Sequence, residues 1–364
     1  MEFVNPFRPS FGSEPPALVG RRPYLDDARL GIVEGPGSPL RALALSGPRG
    51  VGKTVLLHAL RQSALAQGWL QVGVTAGDSM MQDIIDQTLA ASAHLVDRPA
   101  KRAVTAVGAA GFSVTTTLRP VPDVGTRTRI EQILSDLAEH GTGLYLTIDE
   151  VHKSARGLAD FCKALQHFVS EGRPIAVAFA GLPHHVREMS TAPGMTFIWR
   201  AERILLGEVP LADVRDSFAK VISAAGRCAP GEVVDAMASA TFGYPYLIQL
   251  VGYHTWRQSG APHIRIDDVA AGVAAARRRV ETSVLAYAIG DLSGKERDFL
   301  DAMLSDQGRP SKLADISARL GVTTGYASVY RSRLIESGVV RPVSHGYLEF
   351  ALPYLGDYLR AQLG

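Results

Sequence analysis

The sequence predicts an α/β protein whose core is a parallel five-stranded sheet. From residue 42 onward, apolar segments of strand length alternate with segments of helix length, which is typical of a parallel sheet covered on both faces. A glycine-rich octapeptide, 47–54, follows the first strand, and the strand at 143–149 ends in two carboxylates. Because both features lie at carboxyl ends of predicted strands, they should meet at one edge of the sheet.

The predicted core contains nine regular elements and one insertion. We expect strands and helices in the order β 42–46, α 53–67, β 69–75, α 79–95, α 127–140, β 143–149, α 154–171, β 175–180 and β 203–209. The segment 101–121 interrupts this series, and its glycines, threonines and alternating apolar residues indicate a β-hairpin. It is either a plain surface hairpin or a contact element for DNA or a neighbouring subunit.

The octapeptide has the complete G-x-x-x-x-G-K-T spacing of a phosphate loop. A strand before it and a helix after it let backbone N–H groups and the helix N-terminus converge on a polyphosphate. Lys53 would reach the β- and γ-phosphates, and the Thr54 hydroxyl would bind Mg²⁺. The predicted nucleotide-binding residues of the loop are Gly47, Pro48, Arg49, Gly50, Val51, Gly52, Lys53 and Thr54.

The second half of the predicted site is the acidic end of the third strand. Asp149 would hold Mg²⁺, and Glu150 would polarise the water that attacks the γ-phosphate. An acidic helix N-terminus after a strand is the alternative, but the phosphate loop favours the catalytic interpretation. The sequence therefore predicts ATP and Mg²⁺ as cofactors.

Composition indicates a cytoplasmic protein of two or three domains. The chain has 364 residues, of which 46% are apolar and 20% charged, and a net charge of +2 neither requires nor excludes nucleic acid. It contains neither 18 uninterrupted apolar residues nor a signal-peptide pattern at its start, so we expect no membrane partner. Cys162 and Cys228 lie in apolar segments and are expected to be buried free thiols.

Four parts are expected along the chain. They are a proline-rich extended arm at 1–22, the P-loop core at 23–209, a helical region at 210–290 and a winged helix-turn-helix at 291–364. The last assignment rests on a capping box at Ser293 that begins a first helix, on helices at 311–320 and 324–336, and on a hairpin of 339–343 with 347–350.

The third helix of that C-terminal unit is a candidate reader of duplex DNA. Its small, polar and basic residues suit a major groove, and no acid lies between Asp315 and Glu336. The unit as a whole has nine basic and nine acidic residues, and winged helices also serve as protein-contact modules. The predicted DNA-binding residues are Thr323, Thr324, Tyr326, Ser328, Arg331, Arg333 and, at the hairpin tip, His345.

With these residues in place, the chain resembles AAA+ ATPases of the origin-recognition type. It particularly resembles bacterial and archaeal relatives that have a helical lid and a C-terminal winged helix. Three segments carry the resemblance: Gly47 to Thr54, Ile148-Asp149-Glu150 and Gly243-Tyr244-Pro245-Tyr246. The resemblance implies a homo-oligomer in the ATP-bound state, with Arg203 or Arg200 acting as an arginine finger on a neighbour's γ-phosphate.

The resemblance also implies residues around the adenine. Asn5-Pro6-Phe7 is similar to the start of the N-terminal element that such proteins fold over the base. The further residues that it assigns to the nucleotide are Val19, Gly20 and Arg21 of that element, and Tyr244 and Pro245 where the lid helix begins.

Two departures from the family pattern predict slow hydrolysis. The strand at 175–180 ends in Gly181-Leu182-Pro183, where relatives have a polar residue that positions water, and the lid helix lacks the usual arginine. Each absence removes a group that acts in the transition state, worth a few kcal/mol. His184 or His152 could substitute for the polar residue, or be a surface or capping histidine.

The sequence thus predicts an ATP-dependent DNA-binding switch with a role in replication, mobile elements or regulation. The alternative is a signalling or defence ATPase whose winged helix is a protein-contact or autoinhibitory module. The orientation of Arg331 and Arg333 separates the two hypotheses, because a helix that turned both toward the ATPase core could not also present them to DNA.

Overall fold

The computed structural model describes residues 3–10, 15–93, 125–195, 198, 200–258 and 260–363. The predicted hairpin at 101–121 lies outside these residues. The described chain begins with an arm, continues through an α/β core and a run of helices, and ends in a small unit of helices and a three-stranded sheet.

The core sheet is five-stranded and parallel throughout, as the sequence predicts, with the order β2-β3-β4-β1-β5. Every residue of β4 is buried, and five of the six residues of β3 are buried, which agrees with their continuous apolar sequences. The strands are β1 (Ala42–Ser46), β2 (Leu70–Thr75), β3 (Leu144–Asp149), β4 (Ile175–Gly181) and β5 (Glu202–Leu205).

Helices cover the sheet because each has one apolar face. In α5, Leu158, Phe161, Leu165 and Phe168 recur at helical spacing and are all buried. Two helices, α1 and α6, were not predicted from the sequence. The core helices are α1 (Arg22–Glu34), α2 (Lys53–Leu65), α3 (Met80–Ser92), α4 (Thr126–Glu139), α5 (Arg156–Ser170) and α6 (Pro183–Thr191).

Five helices follow the core and form the region that we call the lid. Helices α9 and α10 approach closely, since a Cβ on Gly272 would lie 2.6 Å from the Thr255 backbone. The lid helices are α7 (Leu211–Ala224), α8 (Gly231–Ser239), α9 (Pro245–Gln258), α10 (Ile266–Val280) and α11 (Ala286–Gly290).

The N-terminal arm packs on the lid. The Phe7 ring is buried between those of Phe218 and Trp256, with ring centroids 5.7 and 6.4 Å away. Asn5 Nδ2 donates a hydrogen bond of 3.1 Å to the Tyr253 carbonyl. The Phe7 ring occupies the space that a side chain at position 252 would need, so glycine is required there. Burial of Phe7 therefore holds the first described residues against α7 and α9.

The C-terminal unit has the predicted order of three helices and a β-hairpin. The predicted second helix begins at Leu313, because Ser311 and Lys312 pair with the hairpin as a third strand, and a final helix, α15, was not predicted. The elements are α12 (Gly294–Leu304), β6 (Ser311–Lys312), α13 (Leu313–Arg319), α14 (Thr324–Glu336), β7 (Val340–Ser344), β8 (Tyr347–Phe350) and α15 (Leu355–Leu363).

The two cysteines differ in exposure. Cys162 is buried in α5, as expected, and burial raises the pKa of its thiol to about 12. Cys228, predicted to be buried, is exposed, so that prediction was wrong. The loop after α7 turns its neighbour Arg227 inward instead, where the guanidinium lies 4.7 Å from the Trp256 ring centre.

Among the described residues, none of the helices is both long enough and apolar enough to span a bilayer.

Candidate nucleotide-binding site

The loop between β1 and α2 has the backbone that a phosphate cradle needs. Gly50 and Gly52 have φ angles of 76° and 88°, which residues with a side chain rarely adopt. A Cβ on Gly47 would lie 2.6 Å from the Leu206 carbonyl, so only glycine fits beside the end of β5. The loop therefore depends on glycine at all three positions, and α2 begins directly after it at Lys53.

The Lys53 ammonium group folds back over the loop. Its Nζ donates hydrogen bonds of 2.9 Å to the carbonyls of Gly47 and Pro48. Burial lowers the pKa of Lys53, while the carboxylates of Glu150 and Asp149 act in the opposite direction. A half-buried cation at a helix N-terminus attracts phosphate oxygens, because few competing waters surround it.

Thr54 and Asp149 meet across the end of the sheet, as predicted. Thr54 Oγ1 donates a 2.6 Å hydrogen bond to Asp149 Oδ2, and the Glu150 N–H donates one of 2.8 Å to Asp149 Oδ1. A hydroxyl and a carboxylate this close are oxygen ligands of the kind that Mg²⁺ takes in phosphate sites. The two residues therefore fit the ion and would hold it against a bound polyphosphate.

Glu150 has a strained backbone. Its φ is 54°, in the left-handed region that glutamate rarely adopts, and its side chain is exposed at the sheet edge. Such a conformation costs about 1–3 kcal/mol, and residues with this strain cluster at functional sites. This left-handed conformation turns the chain out of the strand direction immediately after Asp149. The Glu150 carboxylate is then exposed at the edge where the phosphates would lie.

Arg61 supports the same strand from α2 and was missed by the sequence analysis. Its Nη1 donates a 2.5 Å hydrogen bond to the hydroxyl of Thr147, two residues before Asp149. A Cβ on Gly73, in the middle of β2, would lie 2.1 Å from the same nitrogen. Glycine is unfavourable inside a strand, so Gly73 is the available signal that something packs close there.

The end of β4 lies beside the start of the phosphate loop. Gly181 pairs with Ser46, and a Cβ on Gly181 would lie 2.8 Å from the Val151 carbonyl. Helix α6 then begins at Pro183 and carries His184 and His185, whose rings are 4.1 Å apart. Burial lowers the pKa of both histidines.

His152, the other histidine considered from the sequence, joins this group. Its ring centre lies 5.8 Å from that of His185, and its Nδ1 is 2.9 Å from the Ser154 hydroxyl. The structure thus gathers three imidazoles, of which His152 lies two residues after Glu150.

Comparison with known families identifies the core. Residues 17–177 match the family described as AAA ATPase domain, and this segment contains both the phosphate loop and Asp149-Glu150. This segment of the chain is an AAA+ ATPase domain.

Solved structures with this fold align with nearly the whole length of this chain. The ORC2 protein of Aeropyrum pernix, in ADPNP and ADP complexes, has a TM-score of 0.60 at 12% identity and covers 98% of both chains. A Walker-type ATPase of Pyrococcus abyssi has a TM-score of 0.65 at 14% identity, over 94% of this chain and 96% of that one. At these identities the likeness shows a shared fold.

The C-terminal part matches separately. Residues 282–359 match a domain of unknown function (DUF8462). No curated protein matches the sequence of this AAA+ ATPase.

The N-terminal element reaches the phosphate loop through Arg21. This arginine is buried, and its Nη2 donates to the carbonyls of Gly207, at 2.7 Å, and Val51, at 3.4 Å. Gly20 has a φ of 66° and lies against Val209. Arg21 thus ties the N-terminal element to the loop, and its guanidinium is used in contacts with protein carbonyls. Val19 is half-buried beside it.

The lid reaches the same loop through the start of α9. The Tyr244 hydroxyl donates a 2.7 Å hydrogen bond to the Arg49 carbonyl, and burial raises the pKa of Tyr244. Pro245 would lie 3.9 Å from a Cβ on Gly52. The structure therefore brings both predicted lid residues to the phosphate loop.

The candidate arginine fingers lie elsewhere. Arg203 is on the edge strand β5, where it pairs with Ala44, and Arg200 precedes that strand; both side chains are exposed. A finger acts on a neighbour's nucleotide, so an exposed edge is the position that the prediction requires.

The candidate DNA-binding residues divide into two groups. The Arg333 guanidinium is exposed and lies 5.6 Å from the Tyr330 ring centre. Arg331 is half-buried, and its Nε is buried without a hydrogen-bond partner among the described residues. Thr323 uses its hydroxyl to cap α14, since Oγ1 accepts from the Tyr326 N–H at 3.2 Å.

The remaining residues of this set are at the surface. Ser328 is half-buried, and those with exposed side chains are Thr324, Tyr326 and His345.

Replacing Lys53 with alanine should weaken ATP binding by about 10- to 100-fold, because a charge-assisted contact to phosphate is worth roughly 1.5–3 kcal/mol. Titration with a fluorescent ATP analogue measures the change. Lys163→Ala, which removes an exposed lysine of α5, is the matched control. Equal affinities in the two variants would contradict the assignment of the loop.

Replacing Glu150 with glutamine should leave ATP affinity nearly unchanged and slow hydrolysis by about 100-fold or more, because an amide is a poor proton acceptor. Phosphate release under saturating ATP measures the rate. Glu150→Gly should be equally inactive yet more stable by about 1 kcal/mol, because glycine accepts the positive φ without strain. Parent-like hydrolysis in either variant would show that another residue activates the water.

Proposed function

We propose that this AAA+ ATPase is a nucleotide-controlled switch that binds ATP with Mg²⁺ and hydrolyses it slowly. The observation that carries the proposal is the convergence of Lys53, Thr54, Asp149 and Glu150 at one sheet edge, with Tyr244 of the lid on the same loop. Lys53 binds the β- and γ-phosphates, Thr54 and Asp149 hold Mg²⁺, and Glu150 accepts the proton of the attacking water.

Slow turnover follows from what surrounds that water. Strand β4 ends in glycine beside Ser46, and Leu182 and Pro183 supply no donor side chain where a water would be positioned. His184 is held in α6, and burial favours its neutral form. A neutral imidazole stabilises developing phosphoryl charge less than a preorganised cation does, so turnover loses a few kcal/mol of transition-state stabilisation.

We assign the adenine base to a cavity beside α2. The cavity measures about 150 Å³, and Val55, which lines it, directly follows Thr54. The lining side chains are apolar and suit a flat base held by dispersion, while polar main-chain atoms form the larger part of the exposed lining. The lining residues are Pro15, Pro16, Ala17, Leu18, Val55 and Ala59.

We propose further that the ATP-bound protein forms homo-oligomers in the cytoplasm, with Arg203 or Arg200 of one subunit at the γ-phosphate of the next. Hydrolysis per chain should then rise with protein concentration, and Arg203→Ala or Arg200→Ala should lower it about 10³-fold. Arg29→Ala, which removes an exposed arginine of α1, is the control. A rate per chain that is independent of concentration, with both variants fully active, would exclude the finger.

We propose that the C-terminal unit is a winged helix that binds duplex DNA in one nucleotide state, in a replication, mobile-element or regulatory process. In support, Tyr326 and Arg333 lie on one exposed face of α14, Thr324 is exposed in its first turn, and the exposed His345 lies at the tip of the β7–β8 hairpin. A phenol hydroxyl and a guanidinium on one exposed helix face can meet base edges and phosphates.

Arg333→Ala should cost about 1–3 kcal/mol of DNA affinity if Arg333 reads a base, or lower the salt slope by about one if it meets a phosphate. Arg331→Ala, which removes the half-buried arginine of α14, should change affinity much less. Fluorescence anisotropy with duplex DNA across a salt series, with ATP and with ADP, measures both. Unchanged affinity and slope for Arg333→Ala would remove DNA from this helix.

A specific observation supports a second function, in which the unit is a protein-contact or autoinhibitory module of a signalling ATPase. Arg341 of β7 is paired with Glu208, which precedes the lid, and the Nε of Arg331 is buried within the unit. A protein without DNA affinity in any nucleotide state would favour this second function.

A further inference from the structure

The hydrogen bond between Tyr244 and the phosphate loop is unusually constrained. The Tyr244 ring is buried, and a Cβ on Gly50 would lie only 1.9 Å from its hydroxyl oxygen. The hydroxyl therefore rests directly on the Arg49–Gly50 peptide while it donates to the Arg49 carbonyl at 2.7 Å. Its position leaves that peptide little freedom to rotate.

The orientation of this peptide decides where a phosphate-binding N–H points. No peptide bond among the described residues is cis, and in a trans peptide the carbonyl and the following N–H point in opposite directions. Because the Arg49 carbonyl points to Tyr244, the N–H of Gly50 points away from the Tyr244 hydroxyl. Backbone N–H groups aimed inward are what a phosphate loop offers its ligand.

Tyr244 is the last residue of a rigid turn, 240–244. Inside the turn, the Gly243 N–H donates to the buried Thr241 hydroxyl at 3.1 Å, and the Tyr244 N–H donates to the Thr241 carbonyl at 2.8 Å. The Val209 N–H donates to the Gly243 carbonyl at 2.7 Å. A turn braced at so many points moves as a unit, so a displacement at one end reaches the other.

The C-terminal unit contacts the opposite end of this turn. The Tyr354 hydroxyl donates a 2.8 Å hydrogen bond to the Ala240 carbonyl, and the Phe242 ring meets the Tyr354 ring edge-on with centroids 5.2 Å apart. Arg277 of the lid stacks 5.3 Å from the same tyrosine ring and pairs with Asp357 of α15 at 3.3 Å.

We propose that Tyr244 is a positioning residue that orients the Arg49–Gly50 peptide for phosphate binding, and that the C-terminal unit supports it through the turn at 240–244. The proposal rests on the proposed function, because it concerns the same nucleotide site. It assigns the phenol hydroxyl a role on the phosphate loop, and it makes the docked C-terminal unit a determinant of nucleotide affinity.

The test is a double-mutant cycle on nucleotide affinity. Tyr244→Phe and Tyr354→Phe each delete one hydroxyl and keep the ring, and the full-length chain is titrated with fluorescent ADP and Mg²⁺. Tyr246→Phe is the matched control, since the Tyr246 hydroxyl makes no hydrogen bond to the phosphate loop among the described residues. The thermal midpoint without nucleotide is recorded for each variant, so that an affinity loss is distinguished from partial unfolding.

We expect Tyr244→Phe to weaken ADP binding by about three- to tenfold, the effect of losing one neutral hydrogen bond. Tyr354→Phe should weaken binding by about two- to threefold in the parent and cause no further loss in the Tyr244→Phe background. Tyr246→Phe should bind like the parent.

Parent-like affinity in Tyr244→Phe would overturn the positioning role. An equal loss from Tyr354→Phe in both backgrounds would overturn the link through the turn, because independent sites add. A parent that binds ADP no more tightly than Lys53→Ala does would instead refute the proposed function.

Discussion

The nucleotide site depends on how closely α2 can approach β4. In the sheet order, β4 lies between β1, which delivers the phosphate loop, and β3, which ends in Asp149. Helix α2 must therefore lie over β4 for Thr54 to reach Asp149. The β4 residues in the core cluster with α2 are all alanines, Ala176, Ala178 and Ala180, whereas Ile175, Val177 and Phe179 fill the opposite face.

This alternation has a direct energetic consequence. Small side chains under α2 let the helix approach the sheet, and the 2.6 Å hydrogen bond between Thr54 and Asp149 requires that approach. A larger residue at Ala178, which is fully buried, would separate helix and strand and cost about 1–3 kcal/mol through overpacking. The apolar core and the contact between Thr54 and Asp149 are thus two aspects of one packing arrangement.

The features that sequence predicts well are those encoded within a few consecutive residues. The phosphate loop is a single octapeptide, and Asp149-Glu150 ends one apolar strand, so their meeting at the sheet edge follows from the parallel topology. The five strands were predicted for the same reason. By contrast, the Tyr244–Arg49 hydrogen bond joins residues 195 positions apart, and no local pattern marks it.

Local sequence patterns also failed to predict the exposure of some side chains and the shortest strand. Arg331 lies four residues after the buried Ala327 and three before the buried Leu334, so the packing of α14, and not its composition, buries its Nε. Ser311 and Lys312 were assigned to a helix, but pairing with β8 made them a strand. In both cases a tertiary contact decided what the sequence pattern left open.

Strained backbone conformations occur at the candidate nucleotide site and at the contact between the lid and the C-terminal unit. Four non-glycine residues have positive φ in the described chain. Gln307 lies in the turn before β6. Glu150 lies at the sheet edge, Phe242 lies in the turn at 240–244, and Tyr354 belongs to the C-terminal unit and contacts that turn. Each such residue costs about 1–3 kcal/mol, which contacts with its surroundings must offset. The Phe242–Tyr354 ring contact joins two of them, so docking stabilises a strained pair that separation would release.

The charges of the C-terminal unit follow the same docked arrangement. Arg341 is shared between Glu349 of its own hairpin and Glu208 beside the lid. Arg319 is paired with Asp306, and Arg360 with Asp357. Because affinity for duplex DNA depends on neutralising phosphates, arginines held by carboxylates contribute little. Separation of the unit from the lid would release Arg341 from Glu208 and make the hairpin more positive. A nucleotide-dependent change at the turn would then alter both the position of the unit and its attraction for phosphate, which is the coupling that a DNA-binding switch requires.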